Sequence, residues 1–174
     1  LGSKEVFVAE ACEFHSSFLE MHPTVAIVLN IQEDHLDYYK DLDDIANAFR
    51  TFVGLVPPQG VFIGNGDDEN VRRIMAQAAC RGESFGFGES CDWRPEDLTL
   101  DGEGLPSFTL SFRGQPVCGV KLRVAGRFNI MNAMAAMAAA HALGADMQKA
   151  AQALSTFENV HRRFELTSVT DGVK

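Results

Sequence analysis

Short strand-like runs alternate with helix-patterned segments through the first half of the chain, and this alternation constrains the possible folds more than any other feature. Largely apolar runs, typical of buried strands, lie at residues 5–9, 24–30, 61–63 and 83–87. Between them, apolar residues recur at helical spacing after Asp41 and after the pair Asp67-Asp68, which indicates helices with aspartate N-caps. Strands that alternate with helices predict a parallel sheet with crossover helices.

The second half of the chain has a different pattern. Residues 92–124 contain short strand-like segments separated by glycine turns, and Phe108, Leu110 and Phe112 alternate with polar residues as in a half-buried antiparallel strand. Two helices are predicted next, at about 127–143 and 146–157, followed by a last strand at about 163–169. The predicted fold class is therefore α/β: a mostly parallel sheet flanked by helices, with a small antiparallel β-meander at about residues 92–124.

Charge and composition exclude several classes of protein. The 15 basic and 24 acidic residues give a formal net charge of −9, so the chain lacks the basic footprint that nucleic-acid binding requires. No apolar run approaches the roughly 20 residues of a membrane span, and no membrane partner is expected. The four cysteines show no CxxC spacing, which argues against a zinc or redox site and favours reduced thiols in a cytoplasmic protein.

Polar residues follow the first two predicted strands, beyond the carboxyl ends where parallel sheets usually bind ligands. Glu10 ends the first strand, and His35 lies in the polar segment after the second. If these strands are neighbours, both side chains face one crevice, where a carboxylate and an imidazole could hold a divalent cation beside a phosphate. The alternative is structural: Glu10 would cap the next helix, and His35 would be an ordinary loop histidine.

Two further features indicate nucleotide chemistry. Asn129 and Asn132 share one face near the start of a predicted helix, and their amides can donate and accept hydrogen bonds at an adenine edge. Arg162 and Arg163 suit phosphate or carboxylate oxygens. The structural alternatives are helix capping by Asn129, a solvent-facing Asn132 and ordinary surface arginines. No phosphate loop of the GxxxxGKS/T or GxGxxG type occurs in the 174 residues, and Gly86-Phe-Gly88 is too short to count as one.

Together these stretches resemble the central, ATP-binding domain of the Mur ligases, in family order and over nearly the whole chain. The resemblance is carried by Phe7-Val-Ala-Glu-Ala-Cys-Glu13, Ser17-Phe-Leu19, Asn30-Ile31 with Asp34-His-Leu-Asp-Tyr-Tyr39, Asn65 with Asp67-Asp68, Gly126-Arg127 with Asn129 and Asn132, and Phe157 with Arg162-Arg163-Phe164. It implies that residues 1–174 form a Mur ligase central domain, without the phosphate loop expected upstream and without both flanking domains.

The resemblance also implies an activity and a set of site residues. Mur ligases use ATP to join an amino acid to UDP-linked muramic acid through an acyl phosphate, in the bacterial cytoplasm, for peptidoglycan synthesis. The segment Ala-Cys-Glu-Phe after Glu10 favours the branch that joins L-alanine to UDP-N-acetylmuramate. Catalytic roles are implied for Glu10, His35 and Arg163, with Glu10 and His35 holding Mg²⁺. ATP is implied to meet Asn129 and Asn132 at its base and Arg163 at its phosphates.

Two departures from the family pattern affect what the 174 residues do alone. Phe128 stands where the family usually has a histidine before the first asparagine, so any nucleotide contact from that histidine is lost. Phosphoryl transfer depends on positioning and charge neutralisation, and the main phosphate cradle is missing. We therefore expect the isolated chain to have neither ligase nor ATPase activity.

Two other functions remain open from the sequence alone. The first is a sister enzyme of the same superfamily, such as a muropeptide ligase or folylpolyglutamate synthase. The second, from a different class, is a non-catalytic α/β nucleotide-binding or interaction module. The oligomeric state is not indicated.

Overall fold

A six-stranded sheet organises the chain in a computed structural model that describes residues 5–158. Its strands lie side by side in chain order: β1 (Val25–Val28), β2 (Val61–Asn65), β3 (Arg81–Phe85), β4 (Trp93–Leu100), β5 (Pro106–Phe112) and β6 (Gln115–Lys121). The pairs from β1 to β4 are parallel, and β4, β5 and β6 pair antiparallel. This confirms the predicted α/β fold, in which the meander extends a parallel sheet.

Helices connect and cover the strands. They are a kinked 3₁₀ segment (Phe14–Glu20), α1 (Leu42–Gly54), α2 (Glu69–Met75), α3 (Arg127–Ala142) and α4 (Met147–Leu154). Aspartates cap three of them: Asp41 accepts from the first turn of α1, Asp68 from that of α2 and Asp146 from that of α4. Each cap satisfies a backbone N–H that has no partner within the helix. The caps predicted for α1 and α2 are confirmed, with Asp68 rather than Asp67 serving the second.

The sheet separates two hydrophobic cores. Helices α3 and α4 cover one face, where the fully buried Trp93 packs. The 3₁₀ segment, α1 and α2 cover the other face, where the rings of Phe18 and Phe52 stack 4.9 Å apart. Strand β2 contributes to both cores, because successive side chains point to opposite faces: Ile63 lies in the first and Phe62 in the second.

The prediction of a buried strand at residues 5–9 is wrong. Within the described part of the chain these residues pair with no strand, and Val6, Phe7 and Val8 are 47%, 92% and 86% exposed. They lie beside β1 and line a groove with residues 24–27 and Leu143. An apolar, β-branched run indicates a preference for extended backbone, but a strand is stabilised by the partner it pairs and packs with. Among the described strands, β1 pairs only with β2.

Other boundaries differ slightly from those predicted. Strand β3 occupies residues 81–85 rather than 83–87, and α4 ends at Leu154 rather than at 157. The predicted strand at 163–169 lies outside the described residues. Between residues 5 and 158, no helix is both long enough and apolar enough to cross a membrane.

Candidate active site

The segment that follows β1 is tied to the connection between β2 and α2. Asn65, the last residue of β2, donates from Nδ2 to the carbonyl of Leu29 at 2.8 Å. The backbone of Ile31 is held twice: its N–H donates to Asp68 Oδ2 at 3.4 Å, and its carbonyl accepts from Asn70 Nδ2 at 3.2 Å. These bonds fix the direction in which the chain leaves β1 at the carboxyl edge of the sheet.

His35 is the first residue of the turn that follows this segment. Its backbone has a left-handed φ of 52°, and its carbonyl accepts from the N–H groups of Tyr38 and Tyr39 at 2.8 and 2.9 Å. Its Nε2 lies 3.6 Å from Glu13 Oε1, and its Nδ1 lies 3.9 Å from Asp34 Oδ1. The side chains of His35 and Glu13 are each 32% exposed, so the imidazole is accessible from solvent.

Two tyrosines join the His35 turn to the 3₁₀ segment. Tyr39 is buried and donates its hydroxyl to the carbonyl of Glu13. Tyr38 is exposed and donates to Ser16 Oγ at 3.3 Å. The carboxylate of Glu13 is thereby held on a segment that is fixed relative to the imidazole.

The 3₁₀ segment is kinked at two residues with unfavourable backbone conformations. His15 and Ser16 have φ values of 53° and 55°, a region that residues other than glycine seldom adopt. The ring of Phe14 packs between its neighbours, 4.0 Å from the ring of His15 and 4.9 Å from that of His35. Strained residues of this kind persist where surrounding contacts hold them, and they concentrate at functional sites.

Glu13, Asp34 and His35 together form a donor set for a cation. One ligand atom from each lies within 4.8 Å of the other two. Two carboxylate oxygens and one imidazole nitrogen suit a divalent cation, and carboxylate oxygens are the donors that Mg²⁺ prefers. The residues present therefore fit the metal that the resemblance implies.

Glu10 does not belong to this group. It is exposed, and it makes no hydrogen bond or ion pair with another residue of the range 5–158. The expectation that it faces His35 assumed two adjacent strands, and the first of those strands is not formed. Glu13, three residues later in the same acidic segment, lies against the imidazole instead. The role assigned to Glu10 by resemblance stays a prediction.

The two asparagines lie at the start of α3, which begins at Arg127 after Gly126. Asn129 is half-buried and donates from Nδ2 to the carbonyl of Ala125 at 2.7 Å. Asn132 is exposed on the same helical face. The ring of Phe128 is 45% exposed beside them. The role of the asparagines at a nucleotide stays a prediction, as does that of Arg163, which lies outside the described residues.

The start of α3 is at the same sheet edge as His35. The guanidinium of Arg127 lies 3.7 Å from Asp67, just beyond β2, and 3.6 Å above the ring of Phe87, just beyond β3. Because parallel strands end at a common edge, the donor set and the asparagines both lie near the carboxyl edge of the sheet, although their elements cover opposite faces.

The chain has clear relatives of known name. A family model described as the Mur ligase middle domain matches residues 2–140. Two curated proteins, both named UDP-N-acetylmuramate--L-alanine ligase, match: that of Caldanaerobacter subterraneus subsp. tengcongensis is 39% identical over 99% of the chain, and that of Acetivibrio thermocellus is 40% identical over 100%. The chain spans 38% and 37% of their respective lengths.

A solved structure agrees with these matches. The crystal structure of UDP-N-acetylmuramate:L-alanyl-gamma-D-glutamyl-meso-diaminopimelate ligase from Neisseria meningitides superposes with a TM-score of 0.73 at 33% sequence identity. The superposition covers 84% of this chain and 44% of that one.

Proposed function

The chain belongs to the Mur ligase family, as its middle domain, and from this premise we propose that it serves an ATP-dependent ligase that joins L-alanine to UDP-N-acetylmuramate in peptidoglycan synthesis. The observation that carries the proposal is the Glu13–Asp34–His35 donor set at the carboxyl edge of the sheet. The names of relatives at 39% and 40% identity support the choice of substrates. The activity is proposed for the whole protein, in which further chain supplies the phosphate loop and the flanking domains.

The proposed reaction has two steps. The carboxylate of UDP-N-acetylmuramate attacks the γ-phosphorus of ATP, which forms an acyl phosphate and releases ADP. The amine of L-alanine then attacks the acyl carbon, and the tetrahedral intermediate collapses to the amide and inorganic phosphate. Both substrates and ATP belong to the bacterial cytoplasm, which is the location we propose for the protein.

His35 has the clearest role at the metal in this proposal. Its imidazole would bind Mg²⁺ with a carboxylate, for which Glu10 is supported by family resemblance and Glu13 by its position 3.6 Å away. When bound, Mg²⁺ neutralises charge on the phosphate oxygens. The bonds from Tyr39 to the carbonyl of Glu13 and from Asn65 to the carbonyl of Leu29 hold the segments that carry Glu13 and His35.

The start of α3 would meet the nucleotide base. Asn132 offers an exposed amide, and Asn129 keeps its carbonyl oxygen as an acceptor while its amide donates to Ala125. The side chain of Phe128 cannot hydrogen-bond, but its ring is 45% exposed and offers a face on which a base can stack. Arg163 would lie on the phosphate side.

The proposal is tested by ligation with the full-length protein, ATP, Mg²⁺, UDP-N-acetylmuramate and a panel of amino acids. We expect amide product and phosphate release that depend on L-alanine, with much lower turnover for glycine, L-serine and D-glutamate. The isolated 174-residue chain should show no ATP hydrolysis above a boiled control. Absence of amide product with every amino acid, or hydrolysis by the isolated chain, would contradict the proposal.

Matched variants test the site itself. His35→Ala should reduce turnover by orders of magnitude and leave the melting temperature nearly unchanged. His22→Ala, at an exposed histidine away from the donor set, should change neither turnover nor melting temperature. Comparing Glu10→Gln with Glu13→Gln decides which carboxylate binds the metal. The variant that has lost a metal ligand should require a higher Mg²⁺ concentration for half-maximal rate. If neither carboxylate variant shifts the Mg²⁺ requirement, the metal assignment is wrong.

A further inference from the structure

The carboxylate of Asp67 is enclosed by a backbone turn that follows β3. Its Oδ2 accepts from the N–H of Phe87 at 2.8 Å, and its Oδ1 accepts from the N–H of Gly88 at 2.9 Å. Its own backbone N–H donates to Asn65 Oδ1 at 2.9 Å. Hydrogen bonds to an ionised carboxylate are stronger than those to a neutral acceptor, so the turn and the loop after β2 are held together firmly.

The two glycines of this turn lie too close to the Asp67 carboxylate to carry a side chain, and at Gly86 the thiol of Cys91 adds to this constraint. A Cβ atom at Gly86 would lie 2.8 Å from Cys91 Sγ and 2.9 Å from Asp67 Cγ, and one at Gly88 would lie 2.9 Å from Asp67 Oδ1. Any side chain at either position would collide with the carboxylate. The segment Gly86-Phe-Gly88 is too short for a phosphate loop, and its backbone N–H groups bind the carboxylate of Asp67 instead of a ligand.

The same carboxylate and the residue between the glycines hold Arg127 from two sides. The Arg127 guanidinium lies 3.7 Å from Asp67 Oδ2 and 3.6 Å from the centre of the Phe87 ring. The first contact is an ion pair, and the second is a cation–π contact. We call Asp67, Phe87 and Arg127 the clasp.

Arg127 requires such a partner because of where it stands. It is the first residue of α3, a 16-residue helix whose first turn contains no acidic residue. The amino end of a helix carries partial positive charge, so a cation there is unfavourable unless a carboxylate lies near it. Asp67 is the carboxylate that meets this requirement, although it is 60 positions away in the chain.

We propose that Asp67 is a positioning residue for the nucleotide site, which it serves by holding Arg127 and with it the first turn of α3. That turn carries Phe128 and Asn129, and Asn132 follows on the same face. The proposal rests on the proposed function, in which this face meets the base of ATP. Loss of the clasp should therefore weaken ATP binding while the metal and the other substrate are little affected.

A similar trio elsewhere in the fold provides a matched control. Arg113 donates from Nε to Asp92 Oδ1 at 2.9 Å, and its guanidinium lies 4.8 Å from the centre of the Phe112 ring. Arg113 is 58% exposed, compared with 68% for Arg127. It lies at the turn between β5 and β6, which does not carry a nucleotide-site residue.

The test uses steady-state kinetics of the full-length protein with Asp67→Asn, Arg127→Gln, the double variant and Arg113→Gln. We expect each clasp variant to raise the KM for ATP three- to tenfold, with kcat and the KM for UDP-N-acetylmuramate within twofold of the wild-type values. Because Asp67 acts through Arg127, the double variant should be no worse than the more severe single variant. Arg113→Gln should leave all three constants unchanged.

Other outcomes overturn the proposal. Multiplicative effects in the double variant would show that Asp67 does not act through Arg127, and a lower kcat with an unchanged KM for ATP would show that the clasp does not serve nucleotide binding. If Asp67→Asn is too unstable to assay, Arg127→Gln, at a largely exposed side chain, decides by the same criteria. Asn132→Ala separates the two proposals: if it raises the KM for ATP and the clasp variants do not, only the positioning role fails; if it has no effect, the nucleotide assignment fails.

Discussion

Replacing Glu83 with leucine should destabilise the sheet where its parallel part meets the meander. Glu83 and Trp93 are 2% and 0% exposed, and Trp93 Nε1 donates to Glu83 Oε2 at 2.8 Å. The ladder between β3 and β4 consists of one residue pair, Phe85 with Trp93. The Trp93–Glu83 bond adds to the backbone bond from Gly86 N–H to the carbonyl of Trp93 at 3.1 Å and to the hydrogen bonds between Ser84 and Asp92. Among these contacts it is the one that lies inside the core.

The magnitude follows from the groups left without partners. Glu83→Leu leaves the indole N–H of Trp93 buried without its acceptor, which costs about 1–3 kcal/mol. Arg81 loses an ion pair at 3.4 Å, but its side chain is 56% exposed and water replaces the carboxylate at little cost. At roughly 2–4 °C per kcal/mol for a domain of this size, the melting temperature should fall by about 2–12 °C. Glu83→Gln keeps a carbonyl acceptor for the indole and should lose less.

Urea unfolding measures the difference, because Trp93 is the sole tryptophan of the chain and its fluorescence reports directly on this contact. Circular dichroism serves as the second probe. Glu89→Leu, at an exposed glutamate, is the control and should change the free energy of unfolding by no more than about 0.5 kcal/mol. A Glu83→Leu variant as stable as the wild type would refute the reasoning, since burial of the carboxylate would then cost as much as its hydrogen bond contributes.

Four further predictions concern the nucleotide site, the cysteines and a helix cap. Asn132→Ala in the full-length protein should raise the KM for ATP several-fold, as expected for loss of a hydrogen bond worth about 0.5–1.5 kcal/mol, and equal changes in the KM for UDP-N-acetylmuramate would contradict the nucleotide assignment. Thiol labelling followed by mass spectrometry should modify the exposed Cys12 at once and the buried Cys91 only on unfolding. Rapid labelling of Cys91 at neutral pH would count against its burial. Burial and the nearby Asp67 raise the pKa of the Cys91 thiol above its ordinary 9.0, so the unfolded chain loses this proton first, and the free energy of unfolding should fall as the pH rises above 9.0. Asp41→Ala should cost about 1 kcal/mol in a thermal melt, since α1 loses its cap, and an unchanged melt would contradict that role.

Much of the fold could be predicted because its signals are local. An aspartate before a run of helical periodicity identifies a helix start from a few neighbouring residues, and Asp41 and Asp68 confirm it. Alternation at Phe108, Leu110 and Phe112 identifies an antiparallel strand in the same way. The run at residues 5–9 carries a similar signal, but a strand depends on a partner that no local pattern supplies.

The site was harder to predict because its residues meet through distant contacts. Glu13 lies against His35 beside a kink at His15 and Ser16, two residues whose left-handed backbone has no sequence signature. Asp67 could equally have been a helix cap, and its actual partners come 20 or more positions later. The only sequence feature that pointed to this contact was the pair of glycines at 86 and 88. Their meaning becomes clear once the Asp67 carboxylate is known to lie against them.

Transfer of an oxygen atom decides whether the protein works through an acyl phosphate. The full-length protein is supplied with UDP-N-acetylmuramate labelled with ¹⁸O in both carboxylate oxygens, together with ATP, Mg²⁺ and L-alanine, and the released phosphate is analysed by mass spectrometry. One ¹⁸O atom should appear in each phosphate released, since that oxygen bridges carbon and phosphorus in the acyl phosphate and leaves with phosphorus. Unlabelled phosphate, or label in AMP, would contradict the proposed ligase chemistry.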